Sequence, residues 1–329
     1  MSWPNDFVRI PSEEWTRTAL EELAMKYDTV EEHGWYDNLE PTVEEILQNH
    51  ESQEVIIDYS GGTGILADRM LRKGQEQTPH LLIIDASPKF LRLSLEKFRH
   101  NPKIAFRLIR YLRPERRLEY LEEVLPPSLY RSGVDAIVST NAIHLYYQHA
   151  KTLESWRKIL RSDGIAYVQS GNIRNPNAPE NTWIIDETVE AIHKAACTIV
   201  ASEDEYAHLR PLLQKEEYMR AHDKLRAKYF IPVRPLSYYT DHLQNAGFQI
   251  EYTQTHTIHA MVDQWFDFLA VYHEGVLGWV GGAQKITKQD TPADIVALRK
   301  QLIRRSMDVI FDHKDSFDAV WTYIKAQKQ

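Results

Sequence analysis

The stretch Val55-Ile56-Ile57-Asp58-Tyr59-Ser60-Gly61-Gly62-Thr63-Gly64 constrains this chain more than any other. Three apolar residues and an acid running into a glycine-rich turn read as a buried parallel strand that ends in a loop. Ile65 to Leu71 follows without a breaker, and Leu66, Met70 and Leu71 share one helical face. Glycine opens backbone angles closed to other residues and lets a ligand approach the main chain. The start of the helix then offers free N–H groups to that ligand. Strand, glycine turn and helix together suit a nucleotide-type site, although such turns also serve as plain tight corners. Gly61, Gly62 and Gly64 do not keep the G-x-G-x-x-G spacing of a dinucleotide fold.

Further strands follow in order. His80-Leu81-Leu82-Ile83-Ile84-Asp85 is a second apolar run ending in an acid, and Ser87-Pro88 opens a helix through Phe90, Leu91, Leu95 and Phe98. An acid about 20 residues beyond the glycines is well placed to accept both hydroxyls of a ribose. As a helix cap Asp85 is a poorer fit, because Ser87 already holds that position. Lys103 to Ile109 reads as a third strand, the charged segment 113–123 as a solvated helix, and Val134 to Leu145 as a fourth strand with its exit.

The order acid-x-Gly-x-Gly-x-Gly resembles the first motif of class I S-adenosylmethionine (SAM)-dependent methyltransferases. Asp58, Gly62 and Gly64 match it, and Ser60 stands where the family usually has its first glycine. Asp135 resembles the acid opening the family's fourth strand, and Leu160-Arg161-Ser162-Asp163-Gly164 resembles its Leu-x-Pro-Gly-Gly turn before the fifth. The resemblance implies an α/β fold: a Rossmann-like, seven-stranded class I methyltransferase sheet, last strand antiparallel, with helical cap insertions. It implies SAM as cofactor, held by Asp58, Ser60, Gly61, Gly62, Gly64, Asp85, Ala86 and Asn141. Where the family often has an acid after the third strand to read adenine, this chain has Arg110-Tyr111-Leu112-Arg113, which leaves that role to Tyr111 or a backbone group.

The expected organisation is an N-terminal helical lid over residues 1–50, a SAM-binding core over 51–170, a helical cap insertion over 171–233, and completion of the sheet with inserted helices over 234–329. Residues 11–49 read as largely helical, interrupted at His33 to Asn38; 181–228 as two helices; Phe248 to Tyr252 as a strand; Phe317 to Lys325 as the antiparallel seventh strand. In similar methyltransferases the N-terminal helices lie over cofactor and substrate. That makes Tyr27, His33, Trp35 and Tyr36 lid candidates, although the same aromatics suit a hydrophobic staple between two helices.

The acceptor side is read from scattered residues. His144, at the end of the fourth strand, is the candidate general base because imidazole titrates near neutrality; packing or a backbone bond is the alternative. Arg174 suits a bidentate clamp on a substrate carboxylate, or a salt bridge to an acid of the insertion. Trp183, Trp265, Phe266 and Tyr272 suit an apolar pocket, or core packing.

Charge and composition narrow the partners. The net charge is -8 over 329 residues, which gives no electrostatic hold on nucleic acid and favours a small-molecule substrate. Cys197 is the only cysteine, which rules out an internal disulfide and suits a reducing cytosol. No apolar run approaches the roughly 20 residues of a membrane span, and Trp3 to Asp6 does not open like a signal peptide. A cytoplasmic monomer or homodimer without a metal is the expectation. Two other readings stay open: a non-catalytic SAM-binding or regulatory protein, and an NAD(P)-linked oxidoreductase, which the glycine spacing disfavours.

Overall fold

The computed structural model describes residues 3–21, 24, 25, 28, 34–282 and 289–329. Tyr27 and His33, two of the lid candidates, lie outside them.

One mixed sheet organises the chain: β1 (Val55–Tyr59), β2 (His80–Asp85), β3 (Ile104–Leu108), β4 (Val134–Thr140), β5 (Leu160–Ser170), β6 (Phe248–Met261) and β7 (Ser316–Lys328). In space they run β3-β2-β1-β4-β5-β7-β6. The first five pair in parallel, and β7 is antiparallel to both of its neighbours. This is the expected Rossmann-like, seven-stranded α/β sheet with its last strand antiparallel.

The strands are apolar on both faces because helices cover both. Successive side chains alternate across the sheet. Ile56, Leu81 and Ile83 therefore join Val43 and Ile46 of α1 (Glu40–Asn49), Met70 of α2 (Ile65–Gly74) and Leu91, Leu95 and Phe98 of α3 (Pro88–Phe98). Ile57, Leu82 and Ile84 point the other way, to Leu153, Trp156 and Ile159 of α4 (His149–Ile159) and to Tyr239 and Leu243 of α7 (Leu236–Asn245). Continuous apolar runs are the signature of such doubly covered parallel strands.

A third core lies over the β5–β7–β6 side. It joins α5 (Ile185–Ser202) to α8 (Val262–Val271), α9 (His273–Leu277) and α10 (Ala293–Ile310), and takes in Trp35, Tyr36 and Trp321. α6 (Glu216–Tyr229) packs on its outer side through Tyr218 and Met219. Cys197, on α5, is packed against this core as a small apolar residue.

Three local expectations need correction. Segment 113–123 is not one helix: Tyr111–Leu112 pairs antiparallel with Arg117–Leu118, and a helical turn follows at Leu121–Val124. Arg117 grips Glu123 with two nitrogens at 2.6 and 2.8 Å and lies over the Tyr120 ring, which closes the turn locally. The N-terminal region opens on a 3₁₀ turn rather than the expected α-helix, while Ala24, Met25 and Asp28 are helical. Among the described residues it holds 3₁₀ turns at Glu14–Arg17 and Gly34–Leu39, and it runs along the outer edge of the sheet, where Phe106 N–H donates to Arg9 O at 3.1 Å. Chain laid on an exposed β edge satisfies that edge's free groups, a tertiary demand that helical periodicity does not report. Finally, β6 extends to Met261. Its outer half alternates Thr, Gln and His, an edge pattern with no apolar run to mark it.

Candidate functional site

The turn after β1 is held from two sides. Ser60 and Gly61 N–H groups both donate to Ile84 O on β2, at 2.7 and 3.1 Å. Ser60 has φ 67, so the position usually given to glycine keeps a left-handed backbone here without one. Two glycines differ in purpose. A side chain at Gly61 would strike the Asp58 carboxylate at 2.5 Å, whereas one at Gly62, φ +57, would meet nothing within 4 Å. The space above Gly62 is therefore open to a ligand.

Below that opening lie two carboxyl groups. Asp85 accepts from Gly62 N–H at 2.9 Å and from Ser87 N–H at 2.7 Å. Burial nevertheless pushes it up to about 6 against those bonds. Asp58 is 1% exposed and neither oxygen has a hydrogen-bond partner among the described residues. Burial, with the Asp85 charge second, pushes it up to about 7. Orphaned buried acceptors call for a donor from outside the chain. Ala86 is exposed next to Asp85. The loop residues named from the sequence thus come together as one open, acceptor-rich edge. Tyr111, by contrast, is 48% exposed on the adjoining hairpin, with its ring 5.9 Å from Tyr147.

A buried amide network joins the carboxyl ends of β4 and β5 to the 3₁₀ turn Gly34–Leu39. Asn141, with φ 55 at the end of β4, donates through Nδ2 to Asn38 Oδ1 at 3.0 Å and accepts from Trp321 Nε1 at 2.7 Å. Gln169 of β5 donates to the same Asn38 oxygen, and Tyr323 donates to Asn38 O at 2.6 Å. None of Asn38, Gln169 or Trp321 stands out in sequence, because each is set by a partner far along the chain.

Next to this network is a cavity of about 290 Å³, at the carboxyl ends of β4 and β5. Ligands of open α/β sheets bind on that side. Asn141, His144, Ser170, Asn172 and Asp186 supply its polar wall, and Trp35, Trp265, Phe268, Tyr272 and Trp321 much of its apolar wall. Trp265 and Phe268 stack at 5.0 Å, with Trp35 edge-on to both at 6.0 and 5.9 Å. Exposed Leu145 and Lys228 border it, so it reaches the surface.

His144 donates or accepts through Nδ1 with Ser170 Oγ at 3.1 Å. Burial, then the Arg234 charge and His149, push it down to about 4. It therefore does not titrate near neutrality, as a free imidazole would; it is neutral throughout the physiological range.

Of the acceptor-side candidates, Trp35, Tyr36, Trp265, Tyr272 and His144 meet at the cavity. Arg174 does not: it lies on the far side of Asp186, exposed and paired with Glu187. Trp183 packs edge-on to Phe311 at 5.9 Å, and Phe266 lies under Arg304. Asp186, Asn172 and Phe268 were missed. Asp186 reads in sequence as an ordinary acid in the first turn of a helix, and nothing local marks it otherwise.

Among the described residues no group of three or more His, Cys, Asp or Glu is arranged to hold a metal, and no helix is long and apolar enough to cross a membrane. No family model matches the chain, and no curated protein matches it in sequence. Solved structures do match in fold. The YcgJ protein of Bacillus subtilis superposes with TM-score 0.50 at 13% identity, over 89% of this chain and 99% of that one. A putative methyltransferase of Bacillus halodurans gives 0.48 at 15% identity, over 88% and 97%. A Haemonchus contortus phosphoethanolamine N-methyltransferase, in complex with phosphomonomethylethanolamine and S-adenosylhomocysteine, gives 0.47 at 12%, over 93% and 56%.

Proposed function

Starting from a chain with the fold of class I SAM-dependent methyltransferases, we propose that it transfers a methyl group from SAM to a small-molecule acceptor. The observation that carries this reading is the junction of two sites: an open glycine edge over two buried acids, and an acceptor-sized cavity reached past Asn141. The residues present suit the cofactor. The gap above Gly62 admits a ligand against the main chain, the spare lone pairs of Asp85 accept ribose hydroxyls, and the unpartnered Asp58 carboxylate favours a cationic or water-mediated neighbour. SAM, when bound, supplies a methyl group made electrophilic by its sulfonium.

The rest of the chemistry belongs to this chain. Positioning is the main demand of an in-line displacement, and the amide network of Asn38, Asn141 and Gln169 fixes the cavity wall at Asn141 and Trp321. His144 serves as a neutral hydrogen-bond acceptor toward the substrate rather than as a base titrating near pH 7. Segment 171–233 and the helix α8 together close the acceptor side. O- or N-methylation suits this polar wall better than C-methylation. The surface opening beside Lys228 favours an enzyme over a non-catalytic SAM-binding protein.

Calorimetric titration with S-adenosylhomocysteine tests the assignment. Wild type is expected to bind, and Asp85→Ala to bind more weakly by about 1.5–3 kcal/mol, the scale of hydrogen bonds to a charged group. Because Asp85 also ties Gly62 and Ser87, circular dichroism must show the variant folded. Equal affinity in a folded variant sinks the assignment.

A further inference from the structure

The cavity wall holds a carboxyl group that no described contact of this chain matches. Asp186 lies in the wall between the cavity and an outer groove, and it makes no hydrogen bond or ion pair with any described residue. The cations nearest along that groove are taken: Arg174 pairs with Glu187, and Arg226 with Glu190 at 2.6 Å. Asp186 is half-buried, and desolvation raises its carboxyl to about 7, with no cation acting in the other direction. Asn172 borders the same cavity, is 1% exposed, and its Oδ1 has no partner although its Nδ2 donates to Ile231 O at 3.2 Å. Two acceptors without donors therefore stand in one wall.

Opposite them are aromatic faces. Trp265 and Trp321 have their indole N–H groups committed, to Thr188 Oγ1 at 2.9 Å and Asn141 Oδ1 at 2.7 Å, so toward a ligand they offer ring surface rather than donors. Ring faces carry negative potential and attract ammonium groups. An anionic ligand would leave both acceptors unsatisfied, and a neutral alcohol brings a single donor for the two and no charge for the rings. A hydrogen-bond-donating cation satisfies them and the rings together.

We propose that the acceptor is an amine. The site would hold its ammonium group between Asp186 and Asn172 Oδ1, with its apolar part against Trp35, Trp265, Phe268 and Tyr272. This rests on the methyl-transfer reading above. For transfer, the ammonium gives one proton to the Asp186 carboxylate, and the freed nitrogen lone pair forms the N–CH3 bond. The CH3–S bond breaks with its electron pair returning to sulfur. The positive charge passes from sulfonium to the methylated nitrogen, which then sheds its extra proton to water.

Three probes of one shape separate the possibilities: phenethylamine (cation), 2-phenylethanol (neutral) and phenylacetate (anion). Each is titrated into the full-length protein, with and without S-adenosylhomocysteine, by calorimetry and by quenching of tryptophan fluorescence. The amine is expected to bind at least about tenfold tighter than the alcohol, and phenylacetate not at all. Asp186→Asn should erase that preference while leaving S-adenosylhomocysteine affinity unchanged. A preference for the alcohol or the anion overturns the proposal, as does no preference or no binding by all three. The wild-type panel decides even if the variant misfolds. Amine binding without S-adenosylhomocysteine binding would instead defeat the methyl-transfer reading and leave the amine site standing.

Discussion

The glycine edge and the aromatic cavity adjoin each other but are built by opposite means. At the glycine edge, ten consecutive residues and one more acid supply nearly everything, and much of the binding surface is main chain. At the cavity, side chains arrive from the Gly34–Leu39 turn, the ends of β4 and β5, α5, the end of α6, α8 and β7, segments spread along most of the chain. The first site stores its cost in buried charge, at Asp58 and Asp85. The second is largely apolar, and in its wall Asn172 Oδ1 and Trp35 Nε1 are buried without a hydrogen-bond partner among the described residues. Ligand geometry at the edge thus depends on backbone angles, whereas at the cavity it depends on packing.

That contrast can be broken by substitution. The largest effect is expected at the cavity: Trp265→Ala removes a ring that is 2% exposed and packed on Phe268 and Trp35. It should cost about 3–5 kcal/mol in denaturant unfolding and leave S-adenosylhomocysteine affinity near wild type. Comparable loss of cofactor affinity would show that the two sites are not separable.

Gly62→Val is the reverse case. Its side chain enters open space, so unfolding should register only the left-handed backbone strain, about 1–2 kcal/mol. Cofactor binding should weaken by about a hundredfold or more, ~2.7 kcal/mol, in calorimetry. Unaltered binding means the loop does not face the cofactor.

Asp58→Asn probes the stored charge. A carboxyl raised to about 7 stabilises the fold fully below its unfolded value near 3.9, and that contribution is lost as pH rises through about 7. The ligand-free variant should therefore gain on wild type by a few kcal/mol at about pH 8 and by little at about pH 4. A gain of equal size at both ends would assign the effect to packing instead.

At His144 the change should be kinetic. His144→Gln should lower kcat by about tenfold with the fold intact. The wild-type kcat profile should also lack an imidazole inflection between about pH 5 and about pH 8. An inflection near pH 6.5 that disappears in the variant would restore the titrating base.

Arg174→Ala should do least. Its exposed pair with Glu187 is of the kind contributing less than about 1 kcal/mol, and KM should not move. A large rise in KM would bring Arg174 back to the substrate.

How much was legible follows the same division. The strand ending at Asp58, the glycine turn, the helix after it and the strand ending at Asp85 could be read because these are local events, written in apolar runs and the backbone freedom of glycine. The same holds for β1 to β5. Trp35 and Trp265 were legible only as aromatics with two equal fates, core or pocket. Segment 113–123 does not read as a hairpin and a turn because both rest on particular pairings, Tyr111 with Leu118 and Arg117 with Glu123 and Tyr120, that have no periodic signature.

By itself, then, the sequence determined the sheet, its two covered faces and the glycine edge, since burial pattern and backbone sterics act between near neighbours. Only the tertiary structure decided the rest. It placed Arg174 on the surface with Glu187, and it pushed His144 down to about 4 by burial beside Arg234. It also left Asp186 without a partner in the wall of an aromatic cavity. Each of these turns on desolvation and on which distant charges come to face one another, and neither is set until the chain has packed.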